Sequence, residues 1–356
     1  MQRVLRPTTA LLALLLLVLT GCGASSTPTP APAPASAPAP AAAPAPVKVR
    51  WGTILNASQS YIPIVIRDRG LDKKYGLQLE INALSNTGQQ WSGLRSGDFD
   101  VTSGSVLDLL RQRKAGLKAK AFAGFMGMSN PIVAPANKPY KGIADLKGAR
   151  VGTPSRTLFA WMIYRATGLK SDGVDIDKIA GQVTESAPAL MLQLMNKGDL
   201  DASVEFSSLL YEPLSKGKLK QVLDLPDVLS KAGFDSDSFY LLWMVSETWA
   251  EKNPDALPRL AAAIADANDI LQTDDSVWPA LAKSSGVEDQ SLVPLFMKMT
   301  RNELKTNYSQ AKLEPTQKLM TAIAGVVGEE ALGASTVDPA AFDFIAVEKA
   351  MSIRTK

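Results

Sequence analysis

Leu94-Arg95-Ser96-Gly97-Asp98-Phe99-Asp100-Val101 returns later in the chain as Leu194-Met195-Asn196-Lys197-Gly198-Asp199-Leu200-Asp201-Ala202. Each copy reads as the end of a helix, a glycine stop, then Asp, an apolar residue, Asp and a small apolar residue that opens a strand. Glycine just past a helix is an ordinary termination signal. Two copies predict two lobes of related build.

The flanking sequence extends the same rhythm. A strand is predicted over 47–52, and Ser58 or Ser60 caps a helix that runs through Arg69-Gly70. A second strand covers 77–81, and Ser85-Asn86-Thr87-Gly88 turns into the helix that stops at Gly97. A strand over 99–102, a helix over 106–114 and a strand over 117–125 follow. The pattern then restarts with a strand over 149–152, a helix over 156–167, a strand over 179–183, a helix over 187–197 and a strand over 200–205. Strand and helix in alternation predict an α/β fold with parallel sheets and covering helices. From Ser238 onward the character changes to one strand over 239–245 and then helices over 254–273, 276–284, 291–302, 315–328 and 339–351. Two lobes follow: 47–134 with 237–356, and 135–236. A hinge lies between them, and the C-terminal tail is helical.

The first 46 residues are of another kind. Arg3 and Arg6 precede an apolar run over 10–19 that ends in Leu19-Thr20-Gly21-Cys22. A positive start and a short greasy run read as a signal peptide over 1–21. The run is too short for a bilayer, which takes about 20 apolar residues. Cys22 is the sole cysteine of the chain. The Leu-x-Gly-Cys ending looks like a bacterial lipobox, which implies that Cys22 is lipidated. Residues 24–46 are nearly all Ala, Pro, Ser and Thr, unable to bury a core. In an extended polyproline form they make a tether of roughly 70 Å.

Several functions are disfavoured by composition. The chain has 38 Lys and Arg against 35 Asp and Glu, a net charge of +3, and Arg3 and Arg6 fall in the leader. No basic stripe with interleaved aromatics marks a nucleic-acid binder. There is no histidine, so Ser-His-Asp triads and histidine metal sites are excluded. No Walker loop and no well-placed G-x-G-x-x-G occurs. Asp172, Asp175 and Asp177 lack the glycine and glutamate spacing of a calcium loop and read as a solvated acidic loop. Met126, Met128, Met191 and Met195 read as core. No metal site and no cofactor are expected.

With these residues laid out, the chain resembles the substrate-binding lipoproteins of bacterial ABC importers, in their nitrate/sulfonate/taurine and thiamine-pyrimidine branch. Arg69-Gly70-Leu71 with Tyr75-Gly76-Leu77 is similar to the family's entry to the second strand. Asp145-Leu146-Lys147-Gly148-Ala149-Arg150-Val151-Gly152-Thr153-Pro154 is similar to the start of its second lobe. Gly198-Asp199-Leu200-Asp201-Ala202 and the later Glu212-Pro213 resemble its last phrase. The resemblance implies a two-lobed periplasmic binding protein of type II. It implies a non-enzymatic role: a small ligand is held between the lobes and passed to a membrane permease. It implies a monomer on the extracytoplasmic face of the cell envelope, anchored by lipid. An enzyme or sensor on the same clamp, or a binder of pyrimidines or neutral solutes, stays open as the alternative.

Ligands of open α/β sheets sit beyond the carboxyl ends of strands. Those ends carry the expected ligand-binding residues Asn56, Ser58, Gln59, Ser85, Asn86, Thr87, Ser103, Ser105, Ser155, Arg156, Thr157 and Glu205. Arg156 stands where the family usually has a small residue. At a helix start, its guanidinium is expected to hold an anionic, sulfonate- or carboxylate-like ligand. Glu205-Phe206-Ser207 likewise departs from the family's Trp-Glu-Pro.

Overall fold

Alternation puts Val49, Trp51 and the polar Thr53 on one buried face of the first strand, and the sheets grow from such strands. The computed structural model describes residues 45–55, 57–304 and 307–354. The expectations for the leader, Cys22 and all of the tether before residue 45 lie outside the described residues, as does Asn56. In the first lobe β1 (Val47–Ile54) leads through α1 (Tyr61–Asp68) and α2 (Leu71–Lys74) to β2 (Leu77–Leu84). Then come α3 (Thr87–Ser96), β3 (Val101–Ser105), α4 (Val106–Lys114) and β4 (Ala119–Met126). The second lobe holds β5 (Ile132–Pro135), β6 (Arg150–Thr153), α5 (Phe159–Asp172), α6 (Ile176–Ile179) and β7 (Gln182–Glu185). It continues with α7 (Pro188–Lys197), β8 (Ala202–Val204), α8 (Tyr211–Ser215), β9 (Leu219–Leu223) and α9 (Leu225–Lys231).

The chain then returns as β10 (Leu241–Ser246). The tail is α10 (Glu247–Lys252), α11 (Ala256–Thr273), α12 (Trp278–Ser284), α13 (Val293–Glu303), α14 (Leu313–Val327), α15 (Glu329–Leu332) and α16 (Phe344–Arg354). No helix among the described residues is long and apolar enough to cross a membrane.

The first sheet has the order β2-β1-β3-β10-β4 and the second β7-β6-β8-β5-β9. β1 pairs in parallel with β2 and β3, and β6 with β7 and β8. The sheets are nonetheless mixed, where sequence reading predicted parallel ones. β10 runs antiparallel to β3 and β4, and β5 to β8 and β9. The reason is the crossing itself. The chain leaves each sheet at the carboxyl end of its parallel strands and enters the other sheet at the corresponding end. The first strand after each crossing must therefore run backwards. The outward crossing lies between Met126 and Ile132, so Ala134 is already inside the second sheet.

The repeated phrase occupies the same place in both lobes. Gly97 and Gly198 end their helices in the left-handed conformation, with φ of 78° each. Arg50 of β1 donates its backbone N–H and its guanidinium to Asp100, and also reaches the Gly97 carbonyl. Arg150 of β6 does the same to Asp201 and the Gly198 carbonyl. Each clasp locks a helix end to the start of the next strand and to a central strand.

In the second lobe two boundaries shift from expectation. Asp175 caps α6 by accepting from the Asp177 N–H, so the residues before 180 are helical and the strand is Gln182–Glu185. α5 begins at Phe159, not at Arg156. The Ser155 hydroxyl bonds the Thr157 hydroxyl at 2.8 Å and accepts from the Thr157 N–H, which holds these residues in a turn. The acidic loop is not simply solvated: Asp172 pairs with Lys231, Asp175 with Arg165 and Asp177 with Arg156.

Two main cores result. One packs Trp51, Phe122 and Trp243 of the first sheet against the alanine face of α11. The other joins Leu107 of α4, Trp161 of α5 and Leu319 of α14. Since α14 lies against α5, the tail reaches the second lobe as well as the first. Met126 and Met128 are buried, and Met191 and Met195 form a small core with Leu200 and Leu210.

Candidate ligand-binding cleft

Both sheets reverse their winding at one point. β1 proceeds outward to β2, and β3 lies on its other side; β6 proceeds to β7, and β8 lies on its other side. Such switch points open a crevice between neighbouring strand ends. The crevices here are bordered by the loops after β1 and β3 in the first lobe, and after β6 and β8 in the second.

The first wall is polar and tightly organised. Thr53 donates its hydroxyl to the Gln59 carbonyl at 2.9 Å, folding the loop after β1 back on the strand. Buried Gln90 of α3 donates its amide to Gln59 Oε1 at 2.6 Å and to the Ser103 carbonyl at 3.1 Å. The Ser103 hydroxyl donates to the same Gln59 oxygen at 3.0 Å. The Gln59 amide oxygen is thereby saturated. Beside it Trp91 lies over Gly104 so closely that a Cβ there would meet the indole at 2.6 Å.

The other residues expected in this wall have local duties. Ser105 caps α4, accepting from the Asp108 N–H and donating to its carboxylate. Asn86 caps α3, and the Ser85 N–H donates to Gln89. Ser85, Asn86 and Thr87 are exposed at the end of edge strand β2, one strand away from the switch point. Ser58 is half-buried in the turn that carries Gln59.

The second wall differs from expectation. Arg156 is not at a helix start. Its guanidinium pairs with Asp177 at 3.2 Å and lies 3.7 Å from Glu185, whose carboxylate also accepts from the Arg156 N–H. Its side chain serves the lobe's own carboxylates. Glu205, in contrast, is fully buried at the end of β8. Its Oε1 accepts from the Ser203 hydroxyl at 2.7 Å, and its Oε2 has no hydrogen-bond partner. Burial pushes its carboxyl up to about 8.

Sequence reasoning missed the residues that join the walls. Asn130, at the outward crossing, has a left-handed backbone with φ of 72°. Its side chain accepts from the Tyr240 hydroxyl and donates to the Glu205 carbonyl, and its own carbonyl accepts from Tyr164. Phe159 stacks on Tyr240 at 5.7 Å. Arg111 of α4 extends to the Thr157 carbonyl. Glu303 lies at the end of α13, and its carbonyl accepts from the Gly127 N–H. Glu303 is half-buried over its whole surface, while desolvation pushes its carboxyl up to about 7. Only the non-glycine left-handed backbone of Asn130 had a sequence signal, because Asn tolerates that region.

The two raised carboxyls carry a pH signature. Each binds its proton more tightly folded than unfolded, where a glutamate titrates near about 4.3. Their contribution is fully present below that value and is lost as pH rises through about 7 to 8. The melting temperature is expected to fall between pH 6 and pH 9, and Glu205→Gln to flatten that fall. An equally steep fall in the variant contradicts the assignment to Glu205.

The comparisons agree with this geometry. The profile of the family described as NMT1/THI5 like matches residues 59–274. A Brucella abortus (strain 2308) relative, 23% identical over 273 residues and covering 76% of each chain, carries a name that says binding and no more. The alkanesulfonate-binding protein SsuA of Xanthomonas axonopodis pv. citri, bound to MOPS, superposes with a TM-score of 0.67. It is 15% identical, over 85% of this chain and 100% of that one. The aliphatic sulphonate binding protein SsuA of Escherichia coli gives 0.65 at 18% identity, over 82% and 96% of the chains. The nitrate-binding protein NrtA of Synechocystis PCC 6803 gives 0.62 at 14%, over 87% and 90%. At these identities the solved structures speak for the fold, that of two-lobed periplasmic binding proteins. The match over residues 59–274 covers most of both lobes, and the chain belongs to the NMT1/THI5-like family.

Proposed function

We propose that this protein is the solute receptor of an ABC importer, lipid-anchored through Cys22 on the extracytoplasmic face of the cell envelope. It works as a monomer, captures a small molecule between its lobes and passes it to a membrane permease. The family profile and the binding proteins that share the fold support a receptor role. One observation carries the reading: the switch points of two sheets lie at the ends where the chain crosses, so their crevices border one cleft. Residues 47–134 with 237–356 act as one jaw and 135–236 as the other, closing on ligand as hinged clamps do. Arg156, one expected partner of an anionic ligand, is already paired with Asp177, and Glu185 accepts from its N–H.

A thermal-melt screen of small solutes tests the binding role; failure of every solute to stabilise the protein contradicts it. The anchor has a separate test. Cys22→Ser is expected to move the protein out of the membrane fraction or to leave the precursor uncut. A serine variant that is processed and still sediments with membranes contradicts lipidation.

A further inference from the structure

Among the described residues, Glu205 is the one side-chain carboxylate at either switch point that the fold leaves half-used. Buried carboxyl oxygens need donors. Ser203 supplies one, to Oε1. Oε2 is enclosed and has none. The cations nearest in the chain to the strand ends are already engaged. Arg156 faces Asp177 and Glu185, and Arg111 gives its donors to the carbonyls of Leu332, Ala331 and Thr157. Across the cleft, the first wall presents amides and hydroxyls, with Gln59, Gln90 and Ser103 bonded to one another.

We infer that the cleft takes a solute with a cationic N–H donor head, an ammonium or amidinium, that completes Glu205 Oε2. The inference rests on the solute-receptor reading and adds the charge of the ligand to it. A donor head supplies what the buried oxygen lacks, and its charge stabilises the ionised form that burial disfavours. A sulfonate, nitrate or carboxylate brings only acceptors to the same point, and its charge opposes ionisation of Glu205.

Benzamidine and benzenesulfonate share a ring and differ in the sign of the head, so they are the probes. Thermal melts and calorimetric titration with each, on the full-length protein, read the result. Benzamidine is expected to raise the melting temperature and to bind saturably, and benzenesulfonate to do neither. Glu205→Gln keeps the shape and removes the charge, and is expected to weaken benzamidine by roughly ten- to a hundredfold. Glu80→Gln alters an exposed carboxylate on edge strand β2 that pairs with Lys48, and is expected to retain full binding. Circular dichroism of both variants establishes that they fold; should Glu205→Gln not fold, the contrast between the two probes on the unaltered protein decides. Stabilisation by benzenesulfonate and not by benzamidine overturns the inference and leaves the receptor role standing. Equal benzamidine binding by folded Glu205→Gln and the unaltered protein overturns it, as does the absence of any response to benzamidine.

Discussion

Phe296→Ala is expected to destabilise the protein by about 3–5 kcal/mol, the usual cost of emptying a large aromatic site in a core. Phe296 is fully buried in α13. Its ring lies 5.8 Å from Tyr61 at the start of α1, 4.9 Å from Tyr211 of α8 and 5.6 Å from Trp278 of α12. Tyr61 belongs to the first lobe and Tyr211 to the second, so one ring fastens both to the tail. The Tyr211 hydroxyl adds a hydrogen bond to Thr300 of the same helix at 3.2 Å. Loss of the ring therefore removes packing and a restraint on the lobes together. Urea unfolding is expected to show the lower midpoint; a variant within about 1 kcal/mol of the unaltered protein would contradict this role for α13.

Asp201→Ala is the second large effect, at about 2–3 kcal/mol. Asp201 accepts from the Arg150 N–H at 2.9 Å, from its guanidinium at 3.0 Å and from Lys138 at 2.7 Å. The substitution strands a backbone N–H beside a buried strand, and such a loss costs about 1–3 kcal/mol. The ion pairs add little because water reaches the Arg150 and Lys138 side chains. The Arg150 guanidinium, with Lys138, holds the Asp201 carboxyl well below the usual carboxylate range. Its stabilisation is present above the unfolded value near about 3.9 and is lost as pH falls below it. The cost of the substitution is thus expected to shrink in acid. A cost that stays constant from pH 7 down to pH 2 would contradict the charge-based account.

The clasp also shows how far the sequence could be read. The phrase around Asp100 and Asp201 was legible because glycine stops and strand starts are local signals. Its partners Arg50 and Arg150 were not, because they lie about fifty residues earlier and meet the aspartates only through sheet pairing. The helix over 106–114 was readable to the residue, since Ser105 caps it within one turn. The direction of β5 and β10 was not, because it follows from where the chain crosses and not from local propensity.

The site followed the same division. Strand-end positions could be enumerated, and Gln59, Ser103 and Glu205 were among them. Their partners come from distant elements. Gln90 saturates the Gln59 oxygen from α3, and Asn130 holds the Glu205 backbone from the crossing. Arg156 looked open because Ser155 and Thr157 resemble a helix cap. Their hydroxyls bond each other instead, and Asp177 arrives from a helical turn that was read as a solvated acidic loop.

Solution scattering tests the central claim most directly, comparing the protein alone with the protein saturated by a solute that stabilises its melt. The account predicts a smaller radius of gyration in the complex, as the two jaws close over the switch points. An unchanged radius at saturation, with binding established by titration of the same sample, would contradict it.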